Sequence, residues 1–259
     1  MLPHSYVGFP MPRYRLTIEY DGTKFYGWQV QADGKGNTVQ GALETALKKL
    51  HDGAPVTLFC AGRTDSGVHA FAQVAHVDLP KKWGAFELCN AINGNVRPHL
   101  VSVIAAEEVG EDFHARFSAT SRHYMYRILN RRAPPTIEVG KVWHVPAVLD
   151  SDQMHEAAQY LIGHHDFSTF RDVQCQAKSP VKTVDRFEVM RFDEMIEIHV
   201  KARSFLHQQV RSMVGSIKKV GDGRWRPIDV KHALDAKHRT ACGPVAPSEG
   251  LYLVDVGYA

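Results

Sequence analysis

The sequence predicts an α+β protein. Two fused ferredoxin-like β-α-β-β-α-β units share one extended, mixed but mainly antiparallel sheet, with helices on one face. Three observations carry this reading. Alternating apolar and polar residues mark strands, apolar stripes at helical spacing mark helices, and the two kinds follow the same order twice along the chain. The chain is also of ordinary globular make-up, with 259 residues, 44% hydrophobic and 23% charged, enough for one large domain or two small ones.

The first unit begins with a strand at residues 14–20, YRLTIEY, which alternates strictly. Val39, Ala42, Leu43, Ala46, Leu47 and Leu50 then fall on one helical face, with Asn37 or Thr38 placed to cap it. Strands at 55–61 and 71–77 flank a polar, glycine-bearing turn, and a short helix near 84–93 leads into a strand at 101–109. The second unit opens with a strand at 121–130 and a helix over about 151–163, capped by Asp150 or Ser151. Strands at 184–192 and 195–203 meet in a tight turn at Phe192–Glu194. A helix over about 206–220 carries Val210, Met213, Val214, Ile217 and Val220, a further helix starts near Pro227, and the last strand is 250–256. Residues 1–12 read as a tail, 13–115 as the first α/β domain and 116–259 as the second, with the junction near 112–120. Two such units can hide their sheet edges against one another. Helices on one face would leave the other free to hold a ligand.

Composition excludes several classes. No apolar run approaches the roughly 18–20 residues of a membrane helix, so no membrane association is expected. The first dozen residues lack the basic start and apolar stretch of a secretory signal. Cys60, Cys89, Cys175 and Cys242 are too widely spaced for a CxxC metal or redox motif or a small disulfide framework, which points to reduced thiols in the cytoplasm. The net charge is only +3, but it is unevenly spread. No acidic residue occurs from Phe113 to Ile137, where Arg116, Arg122, Arg127, Arg131 and Arg132 lie. None occurs from His199 to Gly221 either, a stretch holding Lys201, Arg203, His207, Arg211, Lys218 and Lys219. Two basic tracts in a nearly neutral chain suggest a positive groove for an anionic ligand.

The densest chemistry lies in Cys60-Ala61-Gly62-Arg63-Thr64-Asp65-Ser66-Gly67-Val68-His69-Ala70. A turn alone needs only Asp, Ser and Gly. An apolar approach ending in Arg, Thr and Asp asks for more. Arg63 and Asp65 on either side of a sharp turn would set a guanidinium beside a carboxylate and keep it ionised as water is excluded.

GRTDSGVHA resembles the signature of the TruA-type tRNA pseudouridine synthases. EYDGTKFYGWQ at 19–29, DFHARFSATSRHYMYRI at 112–128, DFSTFR at 166–171, FLHQQVRSMVG at 205–215 and EGLYLVDVGY at 249–258 resemble the same family in the same order. The resemblance implies an isomerase converting uridine to pseudouridine at positions 38, 39 and 40 of the tRNA anticodon stem-loop, bound in a cleft between the halves. It implies Asp65 as the catalytic carboxylate and Arg211 as its cationic partner. Tyr124 would stack on the target base and could serve as a base at C5, and Arg63 would assist base extrusion. It also implies a homodimer across which one tRNA lies. Breaking N1–C1′ and rejoining the base through C5 needs no cofactor and no metal. A carboxylate can attack C1′, attack C6 or withdraw a sugar proton to give a glycal, and the sequence leaves these three open. His207, four residues before Arg211, shares its helical face by spacing and joins the substrate-binding set. The basic tracts would hold tRNA phosphates.

Other motifs point nowhere else. His155-Glu156-Ala157-Ala158-Gln159 lacks the second histidine of HExxH, and His164, His165 and Asp166 are adjacent and cannot all face one ion. Asp33-Gly34-Lys35-Gly36 is no phosphate loop and reads as a hairpin loop. The rival reading is a non-catalytic RNA-binding protein with two RRM-like units. Neither half carries the aromatic K/R-G-F/Y-G/A-F-V-x-F/Y strand of that module.

Overall fold

A computed structural model describes residues 11–31 and 36–259. Most of the tail expected at 1–12, and all but Gly36 of the loop expected at Asp33–Gly36, lie outside the described residues. The first unit comprises β1 (Arg13–Tyr20), α1 (Val39–Leu50), β2 (Phe59–Cys60), β3 (His69–Asp78), α2 (Ala85–Val96) and β4 (Val101–Val109). The second comprises β5 (Ala119–Leu129), β6 (Trp143–His144), α3 (Ser151–Gln159), β7 (Gly163–Asp166), β8 (Val181–Phe192), β9 (Met195–Ala202), α4 (Gln209–Gly221), α5 (Pro227–Ala236) and β10 (Leu251–Tyr258).

All strands join one mixed sheet in the order β4-β1-β3-β10-β5-β9-β8-β7, with β2 beside β3 and β6 beside β5. Most pairs are antiparallel, as the sequence predicts. The seam between the units is the parallel pairing of β10 with β3, which sets Tyr252 opposite His69 and Leu253 opposite Ala70. The other end of the same β3 edge is taken by β2, at Ala75 and His76. One strand edge is thereby shared between a strand of its own unit and the last strand of the chain, and neither unit leaves it open.

The expected apolar faces are the buried ones. Val39, Ala42, Leu43, Ala46 and Leu47 of α1 are buried, and Thr38 caps the helix by accepting from the Gly41 amide at 3.2 Å. They pack with Tyr14, Leu16, Ile18 and Tyr20 from alternate positions of β1. In the second unit, Val210, Met213, Val214, Ile217 and Val220 of α4 cover Ile196, Ile198 and Val200 of β9. Each such side chain stabilises the fold by roughly 1.5–3 kcal/mol. The two cores interlock at the seam. Leu253 and Val256 of β10 complete the first, Val68 joins the second, and Tyr124 touches both.

Three expected elements are shortened, and β6 and β7 are strands that the sequence reading did not contain. The strand expected at 55–61 is reduced to Phe59–Cys60. Pro55 has no amide hydrogen, and the Leu58 amide donates to Glu44 Oε1 at 2.9 Å instead of to a neighbouring strand. The helix expected to run to 163 stops at Gln159, and residues 163–166 pair with β8. The helix expected from 206 starts at Gln209, because Gln208 adopts a left-handed conformation with φ +57°.

Several histidines are held neutral by burial. His76 is 2% exposed, and its Nδ1 accepts the Ala115 amide at 3.1 Å. Burial, then the neighbouring His114, pushes its imidazole down to about 4. Burial also lowers His69 and His123. With folded values below the ordinary 6.5, the unfolded chain binds protons first as pH falls. The stability they contribute is complete above about pH 6.5 and is lost as pH drops toward the folded values. The unfolding free energy read from urea titrations should therefore fall between pH 7 and pH 4.5 by an amount on the order of 2 kcal/mol, and the midpoint with it. His76→Asn, whose amide oxygen can still accept from Ala115, should flatten that slope. A midpoint constant over this range would refute the account.

Candidate active site

The turn from Gly62 to Val68 enters β3 and is clamped by the segment following β1. The Trp28 amide donates to Thr64 O at 3.0 Å, and Tyr20 Oη shares a hydrogen bond of 2.7 Å with Thr64 Oγ1. This close approach requires glycine at 27. Its φ is +85°, and a Cβ there would stand 2.7 Å from Thr64 O. The two sequence stretches 19–29 and 62–70 are thus one packed unit.

Asp65 emerges from this turn and meets two basic side chains from the second unit. Arg211 Nη1 donates to Asp65 Oδ2 at 2.9 Å, while His207 Nε2 lies 3.3 Å from Asp65 Oδ1. Arg211 is held from behind, since its Nε donates to Ala246 O at 2.8 Å. The pair is shielded, with side-chain exposures of 24% for Asp65 and 15% for Arg211. Tyr124 comes from β5 on the core-bearing side of the sheet, opposite Leu253 and Val200. Its hydroxyl lies 3.8 Å from where a Cβ of Gly62 would stand, and Phe205 packs edge-on at 5.4 Å. Burial pushes its phenol up, and the Asp65 charge adds to that. A phenol held protonated can stack and donate a hydrogen bond, but it is a poor base at neutral pH.

Four sequence expectations are corrected by this geometry. The guanidinium beside Asp65 is that of Arg211, and Arg63 is exposed with no ion pair to Asp65. His207 does not share a helical face with Arg211, because it precedes α4; the left-handed Gln208 turns it toward Asp65 by another route. Asp65, Tyr124 and Arg211 gather on the helix-bearing side of the sheet, where the two cores meet, and not on the free face. Finally, the basic tracts are not uniformly available to an anion. Arg122 is 7% exposed and donates to Ala61 O at 2.7 Å, to Arg116 O at 2.9 Å and to Arg203 O, tying three segments around the site. Arg127 pairs with Glu138, Arg131 with Glu194 and Lys218 with Asp222. Arg63, Arg116, Lys201 and Arg203 are exposed and make no ion pair among the described residues.

His69, in the same motif as Asp65, faces the other side of the sheet. Its Nδ1 accepts from the Gly22 amide at 3.0 Å, which leaves Nε2 to donate to Gly140 O at 3.0 Å. It anchors the turn and does not face the reacting side. Sequence reasoning did not single out Asp172, which lies 3.5 Å from His207 Nδ1, or Phe205. Position just beyond the DFSTFR stretch was the only pointer to Asp172. Among the described residues no group of three His, Cys, Asp or Glu could hold a metal ion, and no helix is long and apolar enough to cross a membrane.

Two ferredoxin-like halves with a carboxylate of one paired to a guanidinium of the other define an α+β enzyme of the kind the sequence motifs imply. The profile of the family described as tRNA pseudouridine synthase matches residues 16–118 and 157–259, one block in each half. The chain belongs to that family. It is 58% identical over 248 residues to the tRNA pseudouridine synthase A of Maricaulis maris, covering 96% of this chain and 98% of that protein. Identity is 58% over 248 residues with the protein of the same name from Parvibaculum lavamentivorans, and 57% over 250 residues with that from Mesorhizobium japonicum, each covering 96% of this chain and 100% of the relative. Asp65, His207 and Arg211 fall within the matched blocks, and Tyr124 falls between them.

Proposed function

We propose that the protein isomerises uridine to pseudouridine at positions 38, 39 and 40 of the tRNA anticodon stem-loop, with Asp65 as the reacting carboxylate. Family membership supports the reaction and the tRNA substrate. The observation that supports the residues is the ion pair of Asp65 with Arg211 across the seam, beside Tyr124. In this reading Arg211 matches the charge of Asp65, Tyr124 stacks on the extruded base and His207 contacts the substrate. Arg63, exposed beside the turn, fills the space the base vacates, offsetting part of an unstacking cost of a few kcal/mol. The reaction balances without oxidant or co-reactant: N1–C1′ breaks, the base turns, C5–C1′ forms, C5 loses a proton and N1 gains one. Because burial holds the Tyr124 phenol protonated, stacking and hydrogen-bond donation suit it better than removing the C5 proton.

The test is pseudouridine mapping on an unmodified tRNA transcript bearing uridines at 38–40, with no cofactor or metal added. Conversion at those positions supports the reading. Tight binding without conversion would move the two-RRM-like alternative to the front. The exposed cations also predict a salt effect. Removing Arg116 and Arg203 together should lower the slope of log affinity against log salt by about 1.4–1.8, at roughly 0.7–0.9 for each phosphate left unneutralised. An unchanged slope would take these residues off the RNA path. We further propose a cytoplasmic homodimer sharing one tRNA; a monomeric mass by sedimentation at micromolar concentration would refute the dimer.

A further inference from the structure

His207 occupies an expensive piece of backbone. Gln208, the next residue, has φ +57°, a left-handed conformation that non-glycine residues rarely adopt. The loop after Phe170 holds residue 207 in place. The Asp172 amide donates to His207 O at 3.1 Å, and the His207 amide donates to Cys175 Sγ at 3.5 Å. Asp172 Oδ1 accepts the Gln174 amide at 2.8 Å, which fixes the carboxylate, and the same oxygen lies 3.5 Å from His207 Nδ1. The other ring nitrogen, Nε2, faces Asp65 Oδ1 at 3.3 Å. One imidazole therefore spans two carboxylates. Among the described residues His207 is the one His, Lys or Arg side chain within 4 Å of the Asp172 carboxylate.

We propose that Asp172 is a positioning residue that orients the His207 ring and, through it, the plane of the Asp65 carboxylate. The proposal rests on the reading of Asp65 as the reacting group. A flipped imidazole would present ring C–H groups to both carboxylates, so Asp172 penalises every ring orientation except the one that offers Nε2 to Asp65. Arg211 alone holds Asp65 by one oxygen and leaves it free to pivot. With His207 Nε2 3.3 Å from the second oxygen, the carboxylate meets a nitrogen at both ends, and small displacements of a reacting group are costly in rate.

The experiment is a double-mutant cycle with Asp172→Ser and His207→Gln, reading single-turnover rate and tRNA affinity separately. Asp172→Ser keeps an acceptor for the Gln174 amide but withdraws the oxygen that faces His207 Nδ1. It should slow the rate about tenfold with affinity unchanged within about twofold. In the His207→Gln background it should add less than about twofold. Asp172→Asn, which retains Oδ1 for both Gln174 and the ring, should keep most of the rate if orientation of the ring is what matters. Equal losses in both backgrounds, or no loss in the wild-type background, would overturn the proposal. Nitrogen-15 spectra of the His207 ring, recorded without RNA, should differ between wild type and Asp172→Ser; identical ring spectra would also overturn it. If the wild type converts no uridine, the functional reading fails on its own, and the ring spectra still decide whether Asp172 orients His207.

Discussion

Asp65→Asn is expected to bind tRNA with unchanged affinity and to convert no measurable uridine, a loss of about 10⁴-fold or more in single-turnover rate. The substitution is isosteric, so an amide oxygen can still accept from Arg211 Nη1 at the site of the present 2.9 Å bond. Arg211 remains anchored on Ala246 O. What disappears is the negative charge and the nucleophilic or basic oxygen, which attack at C1′, attack at C6 and glycal formation all require. In the proposed reading RNA affinity rests instead on cations such as Arg63, Arg116, Lys201 and Arg203, which are exposed and which the variant leaves untouched. Mapping of single-turnover products beside a filter-binding titration separates the two quantities. Conversion surviving within about tenfold of wild type would remove Asp65 from the reaction, whatever the binding result.

The second large effect lies away from the chemistry, at Gly215. Helix α4 runs so close to the segment 243–246 that a Cβ on Gly215 would stand 1.7 Å from Pro244 O. From the opposite side, a Cβ on Gly243 would stand 2.8 Å from Ser216 Cα. This close backbone approach allows the reciprocal bonds of the site, Ala246 N–H to Arg211 O at 3.1 Å and Arg211 Nε to Ala246 O at 2.8 Å. Gly215→Ala must therefore push the helix and the segment apart, because the obstacle is a carbonyl and not a flexible side-chain end. A destabilisation on the order of 3 kcal/mol follows, which for a chain of this size lowers Tm by about 6–12 °C. Arg211 sits one turn before Gly215, so conversion should fall even at temperatures where the variant is fully folded. Gly94, in α2, is the control: nothing lies within 4 Å of its Cβ position, and Gly94→Ala should leave Tm unchanged or raise it. A Gly215→Ala protein melting within about 2 °C of wild type would show the close approach to be dispensable.

The order of elements was legible in the sequence because strands and helices that bury one face print their period on the chain. The alternation of YRLTIEY is the burial pattern of β1, and the stripe from Val39 to Leu47 is the buried face of α1. Errors came where burial was not the deciding force. Pro55 and the Leu58–Glu44 bond shortened β2, and a single left-handed residue moved the start of α4 past His207. β6 and β7, of two and four residues, are too short to show a period.

The sequence by itself determined the two-unit α+β plan, membership of the pseudouridine synthase family and the turn that carries Asp65. All of these rest on local residue types and spacings. The family resemblance, not local spacing, named Arg211 as the partner of Asp65, and the tertiary structure decided against the nearer Arg63, which is two residues away and exposed, while Arg211, 146 residues away, is bonded. It also decided that Arg122 ties loops together while Arg116 is exposed, and that His207 lies between two carboxylates. The physical reason is one of range. Periodicity records which side of an element is buried, but the partner of a charge is set by strand register and by the approach of distant backbones, and no local pattern along the chain carries that information.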